Sequence, residues 1–277
     1  MTLSKIPLAG VIGSPIAHSK SPQLQGHWLR TYGIPGHYIP MDIASQELEE
    51  VIRMLPRMGF AGVNITIPHK EAVLSIADLI TDRAILIGAA NTLIFRKDGK
   101  IHADNTDGYG FMENLKTGAP DWDPRSGPAA VLGAGGASRA VIASLLDAGV
   151  PEILISNRTR VRAEKLKADF GSRLQVYDWV QAGNMFDHAA LVVNTTSLGM
   201  IGKNEMRVPL DGLQKGAVVT DLVYTPLKTP LLETAESMGC VTVDGLGMLL
   251  HQAVPGFERW FGTRPVVDSA ARAAALR

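Results

Sequence analysis

Two polar segments of this 277-residue chain carry side chains that could move a proton. The first, residues 64–70, reads Asn-Ile-Thr-Ile-Pro-His-Lys and ends at Lys70, and the second, residues 104–108, reads Asp-Asn-Thr-Asp-Gly and contains Asp107. An ammonium beside a carboxylate can protonate an oxygen that gains negative charge, so this pair is a candidate for general acid–base chemistry. The alternatives are a surface lysine and an Asp that caps a helix.

Two serine hydroxyls lie close together in Ser19-Lys20-Ser21-Pro22. The spacing favours a helix cap at Ser21, with Pro22 at the first helical position. Alternatively, Ser19 and Ser21 present their hydroxyls from a strand end to a small carboxylate. The residues alone favour the cap.

A glycine-rich turn, residues 133–138, follows a short apolar run and opens a helical pattern. Small residues let the backbone approach a pyrophosphate, and a helix N-terminus offers free amides to it. The third position of the usual motif is occupied by Ser138, and a tight turn without a ligand is the alternative. The order strand, turn, helix favours a dinucleotide site.

The end of the next predicted strand bears on which dinucleotide binds. An NAD site would place Asp or Glu about 20 residues after the glycine turn. Here the strand runs into Asn157-Arg158-Thr159, and Arg160 and Arg162 follow. Guanidinium groups bind phosphates well, and cations at a helix N-terminus oppose its dipole unless an anion is present. A solvated basic helix start is the alternative, but the pattern favours NADP over NAD.

Strand and helix signals alternate along the chain, which indicates an α/β fold. In the first part we predict strands at 6–12, 37–41 and 60–67, helices at 22–32, 46–58 and 71–79, and a hairpin of 91–95 with 100–103. In the second part we predict strands at 129–132, 152–156, 191–194, 218–222 and 241–243, and helices at 137–146, 161–170, 231–238 and 246–261, before an alanine-rich tail. Residues 118–128 are interpreted as a linker or surface loop.

We therefore expect two α/β domains with a cleft between them. The first, 1–108 plus 246–277, is a substrate-binding domain with a mostly parallel sheet and an antiparallel addition at one end. The second, 109–245, is a Rossmann-like dinucleotide-binding domain.

Composition and charge exclude several classes of protein. Lys plus Arg equals Asp plus Glu, at 27 each, so no net charge points to nucleic acid. We expect no secretory signal in residues 1–9 and no membrane helix. A single cysteine, Cys240, permits no internal disulfide, and the seven histidines are too scattered to predict a metal site. A cytoplasmic location is expected.

Eight segments, in their order along the chain, resemble the shikimate dehydrogenase family. They are residues 11–22, 64–70, 90–92, 104–108, 133–138, 157–159, 194–197 and 244–248. Departures from the family pattern are Gln25, where a histidine is usual, Ile65 for valine and Thr195 for alanine. Of these, we expect Gln25 to affect helix packing more than chemistry.

The resemblance implies a role for individual residues. The implied substrate-binding side chains are Ser19, Ser21, Thr66, Lys70, Asn91, Asp107, Tyr224 and Gln252. Of these, the two serines would bind a ring carboxylate, and Lys70 and Asp107 would be the catalytic pair. The implied NADP-binding residues are Gly133, Ala134, Gly135, Gly136, Ala137, Ser138, Asn157, Arg158, Thr159, Arg162, Thr195, Thr196, Ser197, Gly245 and Met248. His69, beside Lys70, is expected to have a structural role.

The resemblance also implies an activity, which is the reversible NADPH-dependent reduction of 3-dehydroshikimate to shikimate in aromatic amino acid biosynthesis. No metal, nucleic acid or membrane partner is expected, and the chain would be a monomer or a homodimer. A quinate/shikimate dehydrogenase with relaxed substrate or NAD use is one alternative. A non-catalytic NADP-binding regulator is another, although such a protein would be expected to lose Lys70 or Asp107.

Overall fold

The computed structural model describes residues 6–277, so the expectation about a secretory signal in residues 1–9 falls partly outside this range. The described residues divide into two compact units, residues 6–110 with 249–277 and residues 111–248. Residues 118–128, interpreted as a linker, lie inside the second unit. No helix within 6–277 has the length and apolar character needed to span a membrane.

The first unit begins with alternating strands and helices. In chain order these are β1 (Leu8–Gly13), α1 (Ser21–Thr31), β2 (His37–Asp42), α2 (Leu48–Met54) with a 3-10 extension (Leu55–Met58), β3 (Phe60–Ile65), a 3-10 turn (Ala72–Ser75), β4 (Leu79–Ile80), α3 (Asp82–Ile87), β5 (Thr92–Phe95) and β6 (Ile101–Asp104). Most predicted elements are present, with ends that differ by a few residues.

The predicted helix at 71–79 is wrong. Only the single 3-10 turn forms, and the chain then enters β4 and a short helix, α3. Thr81 caps α3, because its Oγ1 accepts a hydrogen bond from the Ala84 amide at 3.3 Å. Gly88, with φ at 71°, ends it. Neither β4 nor α3 was predicted, since two and six residues are too short to show a clear period.

The first sheet has the strand order β2-β1-β3-β5-β6-β4. β1 pairs in parallel with β2 and β3, whereas β5 is antiparallel to both β3 and β6. The predicted hairpin of β5 and β6 is thus confirmed, but it does not lie at the end of the sheet, because β4 adds in parallel outside β6. Gly99, with φ at 84°, allows the tight hairpin turn.

The second unit contains a sheet that is parallel throughout. Its elements, starting with a helix that begins in the first unit, are α4 (Asp107–Gly118), β7 (Ala129–Leu132), α5 (Gly136–Asp147), β8 (Ile153–Ser156), α6 (Arg160–Phe170), β9 (Leu174–Tyr177), a 3-10 segment (Trp179–His188), β10 (Leu191–Asn194), β11 (Val218–Asp221), α7 (Pro230–Ser237) and β12 (Val241–Val243). β9 and the 3-10 segment were not predicted, and no bounds were predicted for α4.

The strand order of this second sheet is β12-β11-β10-β7-β8-β9. Counted within the unit this is 6-5-4-1-2-3, the order of dinucleotide-binding α/β domains. Along β7, Ala129 and Val131 join one apolar cluster while Ala130 and Leu132 join another, so both faces of the sheet are buried.

The chain ends with two helices, α8 (Leu246–Phe261) and α9 (Ser269–Ala275). The second of these was expected to be a tail. It forms because Asp268 caps it, its Oδ1 accepting from the Ala271 amide at 2.8 Å, and because its alanines pack into a buried face.

Candidate active site

One edge of the first sheet gathers most of the predicted substrate residues. Ser19 and Ser21 follow β1, Thr66 and Lys70 follow β3, and Asp107 follows β6. Because β5 is antiparallel, its start lies at the same edge, with Thr92 opposite Asn64 and Asp104. The register of the strands therefore brings residues far apart in sequence to one place.

Lys70 and Asp107 form an ion pair at this edge. The Lys70 Nζ lies 2.6 Å from Asp107 Oδ2, with the lysine side chain 23% exposed and the aspartate side chain 9% exposed. The backbone carbonyl of Lys70 accepts a hydrogen bond from the Ala90 amide at 2.8 Å, which fixes the loop after β3. A short, partly buried pair of this kind is suited to proton transfer.

Asp107 does not cap α4 with its side chain. Its Oδ1 accepts from Asn91 Nδ2 at 2.8 Å, and its Oδ2 faces Lys70. The Asp107 amide instead donates to Asn105 Oδ1 at 3.0 Å, so Asn105 satisfies the helix start. Both carboxylate oxygens are therefore committed to the site.

Asn91 is the hub of the polar cluster. Its Nδ2 donates to Asp107 and to Gln252 Oε1, the latter at 3.1 Å, and its Oδ1 accepts from the Thr106 amide at 2.8 Å. Gln252, on α8, also accepts at its backbone carbonyl a bond from Thr106 Oγ1 at 2.8 Å. Four predicted residues, Lys70, Asn91, Asp107 and Gln252, are thus joined in one network.

Ser21 does not cap α1, contrary to the interpretation that its spacing favoured. It is the first residue of the helix, and the N-cap position, Lys20, makes no capping bond with its side chain. The Ser21 amide instead donates to Ser19 Oγ at 3.3 Å. Thr66 makes no side-chain hydrogen bond with residues 6–277, so its hydroxyl is available to a ligand.

Tyr38 and Asn64 support this edge and were not predicted as site residues. The Tyr38 hydroxyl donates to Asn64 Oδ1 at 2.7 Å, and Asn64 Nδ2 donates to the Asn91 carbonyl at 3.1 Å. Burial raises the pKa of the Tyr38 phenol, and a hydrogen bond from the Ser21 side chain partly offsets the rise. The neighbouring His69 is 1% exposed, and its Nε2 lies 2.8 Å from the Ile43 carbonyl oxygen, in keeping with a structural role.

A second ion pair anchors the segment that carries Asp107. Arg83, on α3, bonds Asp104 with two nitrogens, and Thr81 Oγ1 donates to Asp104 Oδ1 at 2.9 Å. Burial acts to raise the pKa of Asp104, but hydrogen bonds and the charge of Arg83 outweigh it and hold the pKa below its usual value. Arg83 lies in a helix that the sequence did not predict, so its role was not foreseen.

The predicted cofactor residues all follow strands of the second sheet. The glycine turn follows β7, Asn157 to Arg162 follow β8, Thr195 to Ser197 follow β10, and Gly245 to Met248 follow β12. Tyr224 follows β11 in the same way. Because these strands are parallel, all five segments lie at the carboxyl edge of one sheet, where open α/β sheets bind ligands.

The glycine turn has the geometry that a dinucleotide needs. Gly133 has φ at 107°, and a Cβ on it would lie 2.6 Å from Thr195 Oγ1. Gly135 and Gly136 face open space at the start of α5. Ser138, the departure from the motif, is buried, and its Oγ accepts from the Gly135 amide at 3.1 Å and lies 2.5 Å from Thr195 Oγ1. It therefore ties the turn to the Thr195 loop.

The three arginines after β8 differ in their partners. Arg160 forms ion pairs with Asp178 at 2.7 Å and Glu164 at 2.8 Å. Arg158 and Arg162 are exposed and form no side-chain hydrogen bond or ion pair with residues 6–277. β8 ends in Ser156 and Asn157 with no carboxylate, and Asn157 Oδ1 accepts from the Ala134 amide at 3.2 Å. These residues fit the 2′-phosphate of NADP better than the free 2′-hydroxyl of NAD.

Comparison with known protein families covers nearly the whole chain. A model described as the shikimate dehydrogenase substrate binding domain matches residues 11–93. Models described as shikimate / quinate 5-dehydrogenase and shikimate 5'-dehydrogenase C-terminal domain match residues 123–246 and 245–274.

Individual relatives are similar in sequence to this chain over nearly their full length. The shikimate dehydrogenase (NADP(+)) of Ruegeria sp. (strain TM1040) is 68% identical over 276 residues, covering 100% of both chains. Its counterpart from Paracoccus denitrificans (strain Pd 1222) is 65% identical, covering 98% of this chain and 96% of the other.

Solved structures show the same fold. Shikimate 5-dehydrogenase from Thermus thermophilus, in complex with NADP(H) and shikimate, has a TM-score of 0.86 at 37% identity, covering 98% of this chain and 99% of the other. Quinate dehydrogenase from Corynebacterium glutamicum, in complex with NAD, has a TM-score of 0.91 at 30% identity with the same coverage. With identities this high over full-length chains, and with each family motif at a strand end of its sheet, the chain belongs to the shikimate dehydrogenase family.

Proposed function

We propose that this chain catalyses the reversible reduction of 3-dehydroshikimate to shikimate by NADPH, with Lys70 and Asp107 as the proton-transfer pair. The observation that carries the proposal is the 2.6 Å contact between Lys70 Nζ and Asp107 Oδ2 at a sheet edge lined by amides and hydroxyls. The relatives' full-length similarity supports the same activity.

NADPH, when bound by the residues of the second unit, would supply a hydride for the ketone carbon. The ketone oxygen then gains negative charge, and the Lys70 ammonium, held beside it, stabilises that charge and donates a proton. Asp107 orients the ammonium and offsets its charge. In the reverse direction the pair accepts the alcohol proton.

The polar groups around the pair suit a polyhydroxylated ring acid. Asn91 and Gln252 supply amides, and Thr66 a hydroxyl, for the ring hydroxyls. Ser19 and Ser21 would bind the carboxylate through their hydroxyls, which is consistent with Ser21 being released from a capping role. Tyr224 completes the proposed set of substrate contacts.

The second unit would hold the cofactor. The amides at the start of α5 would bind the pyrophosphate, and Arg158 and Arg162 would bind the 2′-phosphate. Asn157, Thr159, the loop 195–197, Gly245 and Met248 would line the rest of the site. A cytoplasmic monomer or homodimer is proposed.

Oxidation of quinate is the second candidate. It is favoured by the match to a model described as shikimate / quinate 5-dehydrogenase and by the similarity to a quinate dehydrogenase. That neighbour is in complex with NAD, whereas here β8 ends without a carboxylate. The arginines after β8 therefore favour NADP over NAD as the cofactor.

The test is kcat/KM for shikimate and for quinate, each with NADP and with NAD. We expect shikimate with NADP to lead by at least about a hundredfold, which corresponds to roughly 2.7 kcal/mol of transition-state discrimination. A kcat/KM for quinate, or with NAD, within tenfold of the value for shikimate with NADP would indicate a dual-substrate or catabolic enzyme. No turnover of either substrate, with NADPH still bound, would indicate a non-catalytic regulator.

A further inference from the structure

A buried carboxylate outside the proposed catalytic pair joins two loops of the second unit. Asp221, the last residue of β11, is 0% exposed. Its Oδ1 accepts from Asn194 Nδ2 and from the Val223 amide, both at 2.9 Å, and its Oδ2 accepts from Thr229 Oγ1 at 2.7 Å. The three donors come from the end of β10, the segment after β11 and the start of α7.

Asn194 links Asp221 to the loop after β10 by hydrogen bonds of its side chain. Its Oδ1 accepts from the Thr196 amide at 3.0 Å and from Thr196 Oγ1 at 2.7 Å, while its Nδ2 also donates to the Leu198 carbonyl at 3.2 Å. Asn194 and Asp221 lie opposite each other in parallel strands. The loop that carries Thr195 and Thr196 is thus held through one asparagine to one carboxylate.

On its other side, Asp221 holds the start of the segment that leads to Tyr224. The Val223 amide donates to Asp221 Oδ1 at the start of this segment. At the end of the segment, Thr229, which caps α7, donates to Asp221 Oδ2. A single side chain therefore fixes both a proposed cofactor loop and a proposed substrate contact.

We propose that Asp221 is a positioning residue for the cofactor site, and that its ionised form is the one that holds the 194–198 loop and the 222–224 segment in place. The inference rests on the proposed function for the roles of these two segments. All three groups bonded to Asp221 donate to it, and a carboxylate accepts all of them. In the carboxylic acid, either the Thr229 hydroxyl must turn from donor to acceptor or one of the bonds at Oδ1 is lost.

The surroundings of Asp221 place its change from carboxylate to carboxylic acid in an accessible pH range. Burial raises the pKa of Asp221 to about 6, against the lowering effect of hydrogen bonds from Thr229, Val223 and Asn194, which are uncharged. The titratable side chains on the adjoining segments are Tyr224, Lys228, Glu233, Glu236 and Asp244. Of these, Lys228 is paired with Glu236, and Glu233 and Glu236 are exposed on α7.

The experiment compares wild type with Asp221→Asn by fluorescence titration of NADPH between pH 5 and 8, without substrate. The cofactor's own phosphate titrates identically in both proteins, so the ratio of the two Kd values isolates residue 221. We expect the variant to bind about tenfold more weakly at pH 8, and the ratio to approach one as the pH falls through about 6. A ratio that is constant with pH would contradict the proposal.

Two further variants keep the test decisive if Asp221→Asn folds poorly. Thr229→Val removes a hydrogen bond that lowers the pKa of Asp221, so it should move the acid limb of NADPH binding to higher pH, whereas Thr229→Ser should leave it in place. Amide hydrogen exchange in cofactor-free protein should quicken at Thr196 and Val223 in Asp221→Asn. Unchanged exchange and affinity, with only a lower Tm, would show a purely structural role, and neither result depends on which substrate is turned over.

Discussion

Of the three arginines that follow β8, only Arg160 forms ion pairs with side chains among residues 6–277. Arg160 is paired with Asp178 and Glu164, and the hydrogen bonds that it donates to both carboxylates raise the pKa of its guanidinium. Arg158 and Arg162 are exposed and have no such partner among residues 6–277. The sequence predicted a basic group for a 2′-phosphate, but it could not separate the three, because the ion pair with Asp178 depends on the position of β9, which was not predicted.

This difference gives a prediction with an internal control. Arg158→Ala should raise the Kd for NADPH by roughly tenfold to a hundredfold, since a charge-assisted hydrogen bond contributes about 1.5–3 kcal/mol, and should leave the Kd for NADH nearly unchanged. Arg160→Ala should change neither by more than about threefold. Both constants are obtained by fluorescence titration. Equal weakening of NADPH and NADH by Arg158→Ala would contradict the 2′-phosphate role.

Helix α1 carries a buried side chain whose amide atoms have no hydrogen-bond partner among residues 6–277. It begins at Ser21 and carries Gln25 one turn later, where the family usually has histidine. Gln25 is 0% exposed, and neither of its amide atoms bonds to any residue in the range 6–277. Unpaired buried polar groups lower stability, so the Gln25 amide is expected to destabilise the packing of this helix.

Gln25→Leu should therefore raise the free energy of unfolding by about 1 kcal/mol, because it removes two unpaired polar atoms and keeps the side-chain volume. For a chain of this size that is a rise of roughly 2–4 °C in Tm by calorimetry. The matched control is Gln23→Leu on the same helix, where the side chain is exposed and little change is expected. A lower Tm for Gln25→Leu would show that the amide is satisfied in solution.

The ion pair between Arg83 on α3 and Asp104 at the end of β6 should stabilise the folded protein. Arg83→Met removes the cation beside the buried Asp104 and should lower the free energy of unfolding by about 1–2 kcal/mol, a value discounted because Arg83 is half exposed. The exposed pair of Arg96 and Asp98 provides the control, Arg96→Met, which should leave the free energy of unfolding nearly unchanged.

The pH dependence of this loss follows from the lowered pKa of Asp104. A depressed folded-state pKa contributes stability above the unfolded-state pKa and loses it as the pH falls through the folded value. The difference between wild type and Arg83→Met, measured by denaturant unfolding, should therefore be full near pH 7 and shrink under strongly acidic conditions. A difference that grows on acidification would contradict the assignment.

At the scale of the elements, the sequence predicted what has a clear period or a strong turn signal. The apolar runs of β7, β8, β10 and β11 were predicted within one or two residues, and so were the two strands of the β5–β6 hairpin. The short β4 and α3 were missed. The roles of individual side chains were harder to predict. Ser21 was expected to cap α1, and only the structure shows that the capping position is Lys20.

Across the whole molecule, one rule places most of the candidate residues in each unit, with Gln252 on α8 as an exception. In both sheets, side chains that could do chemistry follow the carboxyl ends of strands, and the antiparallel β5 adds Asn91 to the first set by starting where its neighbours end. The motifs could be found in the sequence. Their convergence in space depends on strand order and register, which arise from long-range pairing.

The most direct test of the account is kcat for 3-dehydroshikimate reduction in Lys70→Met, measured together with the Kd for NADPH. Because the ammonium acts on the reacting oxygen, kcat should fall by roughly a hundredfold to ten-thousandfold while the Kd stays within about twofold. Lys97→Met, at an exposed lysine of the hairpin, should match wild type in both. Near-wild-type turnover by Lys70→Met would contradict the proton-transfer role of the pair.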